Sequence, residues 1–374
     1  MTKSIAANSV FDKPWNFYDF DRESLENLFT TIQEPSFRAR QLMKWIYHRR
    51  VTDIECMTNL SMALRSRLRS SVSFDLPSIK WHQASSDGTQ KWLLELLDGN
   101  TIETVFIPED KRGTLCVSSQ AGCALNCAFC ATGLQGFSRN LSASEIIGQV
   151  LLSQAALDSD RAVMHKITNV VMMGMGEPLL NYDAVVRAMR LMTDDLSLGL
   201  SRRRVTLSTA GLVPAINRLS SDCRVSLAVS LHATDDDLRN QLVPINKKYP
   251  IAMLIEACRR YSSRTVGGQV TFEYIMLDGI NDSRKHALQL CSLIGGLSSK
   301  VNLIPFNEVQ GIRYRSSSQK NIDAFRNTLL NANIMTITRR TRGSDIDAAC
   351  GQLAGTTKRR SERRITVDVV DNIK

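Results

Sequence analysis

Apolar residues recur along this chain with two different periods, and the change of period divides it. Up to about residue 90 the spacing is helical: Leu25 to Leu28, Phe37 to Tyr47 and Leu60 to Leu68 place apolar residues on single faces. The second of these segments turns Arg38, Lys44, His48 and Arg49 away from its apolar positions. That face suits either the solvated side of a small helical bundle or contact with phosphates. Lys91 to Leu97 and Thr101 to Ile107 then read as two strands joined by the hairpin turn Asp98-Gly99-Asn100. Beyond the hairpin, strands and helices alternate. The strands are expected at Thr114–Ser118, Thr168–Met173, Arg204–Ser208, Val225–Ser230, Gln269–Met276 and Lys300–Ile304. The helices are expected at Ala143–Leu157, Tyr182–Met192, Leu212–Leu219, Ile251–Tyr261, Arg284–Ile294 and Ile322–Leu330.

Such alternation implies a parallel sheet with crossover helices. Six units fall short of the eight that close a full barrel. The expected fold class is therefore α/β: an open, partial (β/α)6 barrel behind a small N-terminal helical accessory domain. Ile334–Thr338 could add an edge strand, and Arg339 to Gly355, rich in Gly, Asp and Ala, reads as a loop. The tail carries Lys358, Arg359, Arg360, Arg363 and Arg364. The expected division is residues 1–90, 91–340 and 341–374.

Composition narrows the setting. The chain has 374 residues, 43% hydrophobic and 22% charged, ordinary for a soluble globular protein. Met1 to Phe17 has no apolar signal region, and no run approaches the ~18 apolar residues that span a membrane. Nine cysteines without a signal peptide fit a reducing cytoplasm rather than a disulfide framework. The net charge of +10 favours an acidic partner, nucleic acid above all.

The chemistry concentrates in Gly122-Cys123-Ala124-Leu125-Asn126-Cys127-Ala128-Phe129-Cys130. The spacing C-x3-C-x2-C offers three thiolates and no fourth. Structural zinc wants four closed ligands, usually two C-x2-C pairs, and no second pair or nearby histidine motif exists. Iron–sulfur clusters normally take four cysteines, so three would leave one iron open to a small molecule. The spacing resembles the signature of the radical S-adenosylmethionine (SAM) superfamily, in which SAM fills that gap on a [4Fe–4S] cluster.

Other polar residues fall where apolar strands stop, on the edge that binds ligands in parallel α/β folds. Gly176 and Glu177 lie in Gly174-Met175-Gly176-Glu177-Pro178 after the second strand; Ser208 ends the third; Ser230-Leu231-His232 ends the fourth; Asn307 follows the sixth. Any one alone suits a turn, a helix cap or a structural histidine. Together, beside the cluster loop, they outline a SAM pocket. Cys116 reads as a buried strand cysteine. Cys350, flanked by Ala348, Ala349 and Gly351 with no apolar period to bury it, reads as a candidate nucleophile.

The cluster loop, the Gly174–Pro178 turn and the segment Asp345-Ile346-Asp347-Ala348-Ala349-Cys350-Gly351-Gln352-Leu353 together resemble the RlmN/Cfr family of RNA adenine methyltransferases. The Ala-Leu-Asn inside the cluster loop looks like the C2-methylating branch rather than the C8-methylating one. The resemblance implies methylation of C2 at adenosine 2503 of 23S rRNA and at adenosine 37 of a subset of tRNAs. Cys123, Cys127 and Cys130 would hold the cluster. Gly176, Glu177, Ser208, Ser230, Leu231, His232 and Asn307 would bind SAM. Cys350 would carry the methyl group, Cys116 would release the RNA by forming a disulfide with it, and Glu103 would accept a proton. Two SAM molecules per turnover, an electron donor such as flavodoxin with its reductase, and a cytoplasmic monomer are implied as well. A non-catalytic RNA-binding protein with a structural cluster remains the alternative from another class. It leaves Cys350 and the open iron without a purpose.

Overall fold

The computed structural model describes residues 14–159, 166–264 and 268–355; the basic tail from Lys358 lies outside the described residues. The N-terminal part forms β1 (Trp15–Asn16), α1 (Arg22–Thr31), α2 (Phe37–Met43), α3 (Met62–Ser71) and β2 (Val72–Ser73), with β1 and β2 paired in parallel. Asp21 caps α1 by accepting the Ser24 N–H, and Ser61 caps α3 by accepting that of Leu64. The helix expected over Phe37–Tyr47 is present, but its last turn, Lys44–His48, is a π-helix. The wider turn shifts the helix phase, so Ile46 and Tyr47 both join Leu42 and Met43 in the core.

The sheet begins at β3 (Ser78–Ala84), ahead of the boundary expected at residue 90, and continues through β4 (Gln90–Glu95), β5 (Thr101–Glu109) and β6 (Arg112–Cys116). These four strands pair antiparallel in sequence order. The expected hairpin is thus β4–β5, and β3 is an addition that the sequence pattern did not disclose. It is an edge strand with six of its seven residues exposed, so neither face carries an apolar alternation. A short ribbon follows, β7 (Gln120–Gly122) with β8 (Phe137–Asn140), enclosing the cysteine loop and α4 (Ala131–Gln135).

The parallel part runs from β6 through α5 (Ala143–Ser159), β9 (Asn169–Met172), α6 (Tyr182–Thr193), β10 (Val205–Thr209), α7 (Val213–Asp222), β11 (Ser226–Ser230), α8 (Asp236–Leu242), α9 (Ile251–Arg264), β12 (Val270–Met276), α10 (Arg284–Ile294), β13 (Ser299–Pro305), α11 (Gln319–Asn331) and β14 (Met335–Thr338). The strand order is β14-β13-β12-β11-β10-β9-β6-β5-β4-β3. The six expected strand–helix units are all present, and the edge strand at 334–338 is β14. The parallel and antiparallel ends do not pair, so the barrel stays open. Outward residues such as Leu207, Leu227 and Phe272 are buried under the helices, and the alternate residues face a lumen.

The N-terminal helices pack on the outside of this barrel, against α5 and α6. Arg22 pairs with Asp194 and Asp195, and Arg190 with Asp21 at 3.1 Å. Asp19 accepts the Ser144 N–H at 2.8 Å. His48 contacts the Asp195 carbonyl at 3.0 Å, so one member of the expected basic face is used in docking. Lys44 and Arg49 remain exposed, Arg49 lying over the Trp45 ring.

Candidate active site

The cysteine loop is closed at its base by two glycines. Gly122 has φ +79°, and a Cβ there would stand 1.8 Å from the Gly136 carbonyl oxygen. Only glycines let the ribbon pinch the loop shut in this way. Cys123 N–H donates to the Gly136 carbonyl, Ala128 N–H to that of Leu242, and Ala131 N–H to that of Gly351. The last bond ties the cluster loop to the segment that carries Cys350, and Thr132 adds a second tie to the Leu353 carbonyl at 2.7 Å.

Burial pushes the Cys123 thiol up to about 12 and the Cys127 thiol well above its ordinary value, with the neighbouring cysteines adding to the effect on both. Such thiols ionise only when a cationic centre offsets the charge, as metal binding does. Among the described residues no three His, Cys, Asp or Glu side chains converge to hold a single metal ion. Three cysteines from one loop, with no second C-x2-C pair to complete a closed zinc site, are a donor set that fits a cluster with one open iron.

Around the loop, several expected ligands prove to be engaged. Glu177 is buried, and its two carboxylate oxygens accept the N–H groups of Leu179 at 3.0 Å and Ala210 at 2.7 Å. Burial raises it to about 7 against these bonds. His232 sits at φ +62°, its Nδ1 accepts the Ile275 N–H at 3.1 Å, and its ring meets Phe129 of the cluster loop edge-on. Burial lowers it to about 3, so the imidazole is neutral. Leu231 is fully buried. Ser208 and Ser230 are half-buried on the lumen side of β10 and β11, and no hydrogen bond engages their hydroxyls among the described residues. Gly176 has φ +97°, and a Cβ would lie 2.5 Å from the Gln120 side chain.

Sequence reasoning missed Arg239. This fully buried arginine on α8 donates to the carbonyls of Leu231, Ala210 and Ser230 at 2.7–3.0 Å and to Asn246 at 2.8 Å. Burial lowers it to about 10, and it stays cationic. It ties together the chain ends of β10 and β11, where Ser208 and Ser230 stand. Its only sequence signal was an arginine in an amphipathic helix, which usually means a solvated face.

The lumen is a cavity of about 1160 Å³ with Cys116, Met173, Glu273, Asn302, Arg339 and Cys350 among its lining residues. Cys116 comes from the end of β6, and Cys350 reaches in from the C-terminal loop. Burial drives Cys116 up to about 12, with the Cys350 charge adding and the Arg339 charge opposing. Arg339, also missed, places Nη1 3.6 Å from Cys350 Sγ and both Nη atoms 3.9 Å from Met173 Sδ. Asn307 donates to the Cys350 carbonyl at 3.2 Å and accepts from Thr341 at 3.0 Å, which braces the loop. Glu103 lies just outside this cavity. It pairs with Lys91 at 3.2 Å and accepts the Ala354 N–H at 2.9 Å. All nine cysteines are free thiols, so the disulfide implied for Cys116 and Cys350 is not formed here.

An open parallel barrel, a three-cysteine loop at its C-terminal edge and strand-end polar groups beside that loop define a radical SAM enzyme. Residues 117–291 match the family described as the radical SAM superfamily, and residues 15–73 match the ribosomal RNA large subunit methyltransferase N-terminal domain. A solved radical SAM methyltransferase from Sphaerobacter thermophilus superposes with a TM-score of 0.82 at 43% identity, covering 91% of this chain and 99% of that one. Proteins called dual-specificity RNA methyltransferase RlmN from Xanthomonas oryzae and Xanthomonas axonopodis are each 53% identical, over 94% of this chain and 92% of theirs. The chain belongs to the RlmN family.

Proposed function

We propose that this protein methylates C2 of adenosine in 23S rRNA and in a subset of tRNAs, carrying the methyl group on Cys350. Adenine C2 is an unactivated sp2 carbon, so direct polar transfer from SAM would fail, and a carrier thiol is needed. The observation that carries the reading is the meeting of Cys116 and Cys350 in one cavity, with the Cys350 loop hydrogen-bonded to the cysteine loop. The 53% identity to relatives called dual-specificity RNA methyltransferase RlmN favours C2 over C8.

Cys123, Cys127 and Cys130 would hold a [4Fe–4S] cluster, which supplies the electron that cleaves SAM to a carbon radical. Ser208 and Ser230 offer unengaged hydroxyls to SAM. Gly176 and Asn307 flank the same edge. Glu177 and His232 are held by backbone N–H groups, so their part is to shape the pocket wall with Leu231. The Cys350 thiolate would take a methyl group from one SAM by ordinary displacement, and a second SAM would be consumed in radical generation. That carbon radical would take a hydrogen atom from the Cys350 methyl, whose carbon then bonds to adenine C2, and the odd electron of the adduct would return to the cluster. Glu103, paired with Lys91, would take the proton lost as the ring regains aromaticity. Cys116 then attacks Cys350 sulfur and frees the product, leaving a disulfide that a reductant must reset. An electron donor such as flavodoxin with its reductase would serve.

The N-terminal unit, through Lys44 and Arg49, contacts RNA phosphates. No helix among the described residues is long and apolar enough to cross a membrane; a monomer acting in the cytoplasm fits the thiol chemistry. The test is anaerobic reconstitution with SAM, a reductant and unmodified RNA, followed by mass mapping. 2-Methyladenosine in both RNAs is expected. 8-Methyladenosine, or deoxyadenosine release with no RNA methylation, would overturn the reading.

A further inference from the structure

Glu273 stands in the lumen with no role in the chemistry described above. It is almost wholly buried on β12, and its Oε1 accepts from Asn302 Nδ2 at 2.9 Å. Among the described residues its Oε2 makes no hydrogen bond, and it lies 3.9 Å from Arg339 Nε. A structural arginine–carboxylate pair closes to about 2.7–2.9 Å, often with two bonds. Here the guanidinium holds back from that geometry and turns its Nη1 toward Cys350 sulfur at 3.6 Å. Its charge is shared between a buried carboxylate and a cavity thiol.

We propose that Arg339, oriented by Glu273 and Asn302, is a positioning residue that gathers the Cys350 thiolate into the lumen and sustains it as the methyl acceptor. The inference rests on the role of Cys350 given above. The groups facing Cys350 are few. Arg339 follows β14, Cys116 ends β6, and Met173 and Asn307 are neutral; Glu273 reaches Cys350 only through Arg339. Arg340 and Arg342 line the same cavity, but among the described residues it is Arg339 whose guanidinium contacts the sulfur. Attraction to Glu273 first, and to Cys350 and Cys116 after it, holds the guanidinium firmly protonated against burial.

In the transfer the thiol first loses its proton to solvent. The thiolate electron pair forms the new S–CH3 bond while the C–S bond of the sulfonium breaks toward its sulfur. S-adenosylhomocysteine leaves, and the product thioether is neutral. The attraction to Arg339 then ends, and Glu273 is left as the counter-ion. The same pair thus holds an unmethylated Cys350 and lets go of a methylated one. Mutation of Glu273 has a sign that a packing role would not share: without the carboxylate, the whole guanidinium charge is directed at the thiol.

The test measures alkylation of Cys350 by iodoacetamide between about pH 6 and 10, read by peptide mass on reduced, cluster-loaded protein kept anaerobic. Arg339→Gln is expected to react about tenfold more slowly than the parent at pH 7 and at the same rate by about pH 10, above the ordinary range of a cysteine thiol. Arg339→Lys should stay within about threefold of the parent at pH 7, because it keeps the charge. A parental rate in Arg339→Gln at pH 7, or a deficit that persists unchanged to pH 10, overturns the proposal. Should Arg339→Gln fail to retain its cluster, Glu273→Gln decides. A rate at pH 7 above the parent supports the proposal, and an equal or lower rate overturns it. Because the readout is thiol reactivity, failure here leaves methyl transfer through Cys350 standing.

Discussion

The cysteine loop and the thiol pair are both built from cysteine at the same edge of the barrel, yet they are made in opposite ways. The loop draws its three thiols from eight consecutive residues, pinched by Gly122 and Gly136. The pair joins a strand end to a loop more than two hundred residues later, and a cation and a carboxylate from two further segments stand beside it. Burial raises the Cys123 and Cys127 thiols, and Arg239 opposes the rise at Cys127. The pair carries its own cation in Arg339. The difference matches the tasks. On the roles proposed above, cluster ligands should stay put, whereas a methyl carrier must be ionised, alkylated and released within each turnover.

The largest effect expected from breaking this comparison is a split between the two thiols of the pair. Cys116→Ala should still methylate Cys350 and attack adenine, but should stall before release. Protein crosslinked to RNA should accumulate as a nuclease-sensitive mass shift. Cys350→Ala should give no crosslink and no product, and the double variant should resemble it. Normal turnover of Cys116→Ala would refute the two-thiol route. On the loop side, Cys123→Ala should lose cluster, SAM cleavage and methylation together, because two thiolates no longer hold the irons in place. Iron content after anaerobic reconstitution checks this, and a full four-iron complement would contradict the assignment.

Arg239→Met probes the scaffold between the two regions. It would leave the carbonyls of Ala210 and Ser230 without their charged donor, at a cost of about 4 kcal/mol, high for one substitution. Chemical denaturation would measure it. A loss under about 1 kcal/mol would show that water replaces the guanidinium.

His232→Asn sharpens the comparison by pH. The folded value of about 3 lies below the unfolded one of about 6.5, so this group's contribution is present above pH 6.5 and lost as pH falls toward 3. At pH 5 the loss is about 2 kcal/mol relative to neutral pH. Asparagine tolerates the positive φ, can accept the Ile275 N–H and does not titrate. The variant should lose less stability than the parent between pH 7 and 5. Equal losses would mean that His232 is protonated in the folded state. The smallest effect is expected from Lys44→Ala with Arg49→Ala, which should weaken RNA binding and lower its salt slope by up to about two. An unchanged slope would remove the N-terminal helix from the interface.

Much of this architecture is legible in the sequence. The six strand–helix units and the β4–β5 hairpin follow from apolar period and turn residues, which act within a few residues. Strand β3 escapes because an edge strand exposed on both faces needs no apolar alternation. The π-helical turn at Lys44–His48 escapes because burying both Ile46 and Tyr47 is decided by what they pack against. Glu177 and His232 are found in the sequence as strand-end polar groups, yet only the fold shows that backbone N–H groups from Ala210 and Ile275 engage them.

The sequence by itself determined the three-cysteine loop, the alternation that makes the barrel, and the small-residue flanks of Cys350, because spacing and composition constrain residues that are near in the chain. Only the tertiary structure decided that Cys116 shares a cavity with Cys350, that Arg239 is buried as a brace, and that Arg339 stands between a thiol and Glu273. Those relations depend on distances across the folded sheet, and the side chains involved look, one at a time, like ordinary strand, helix and loop residues.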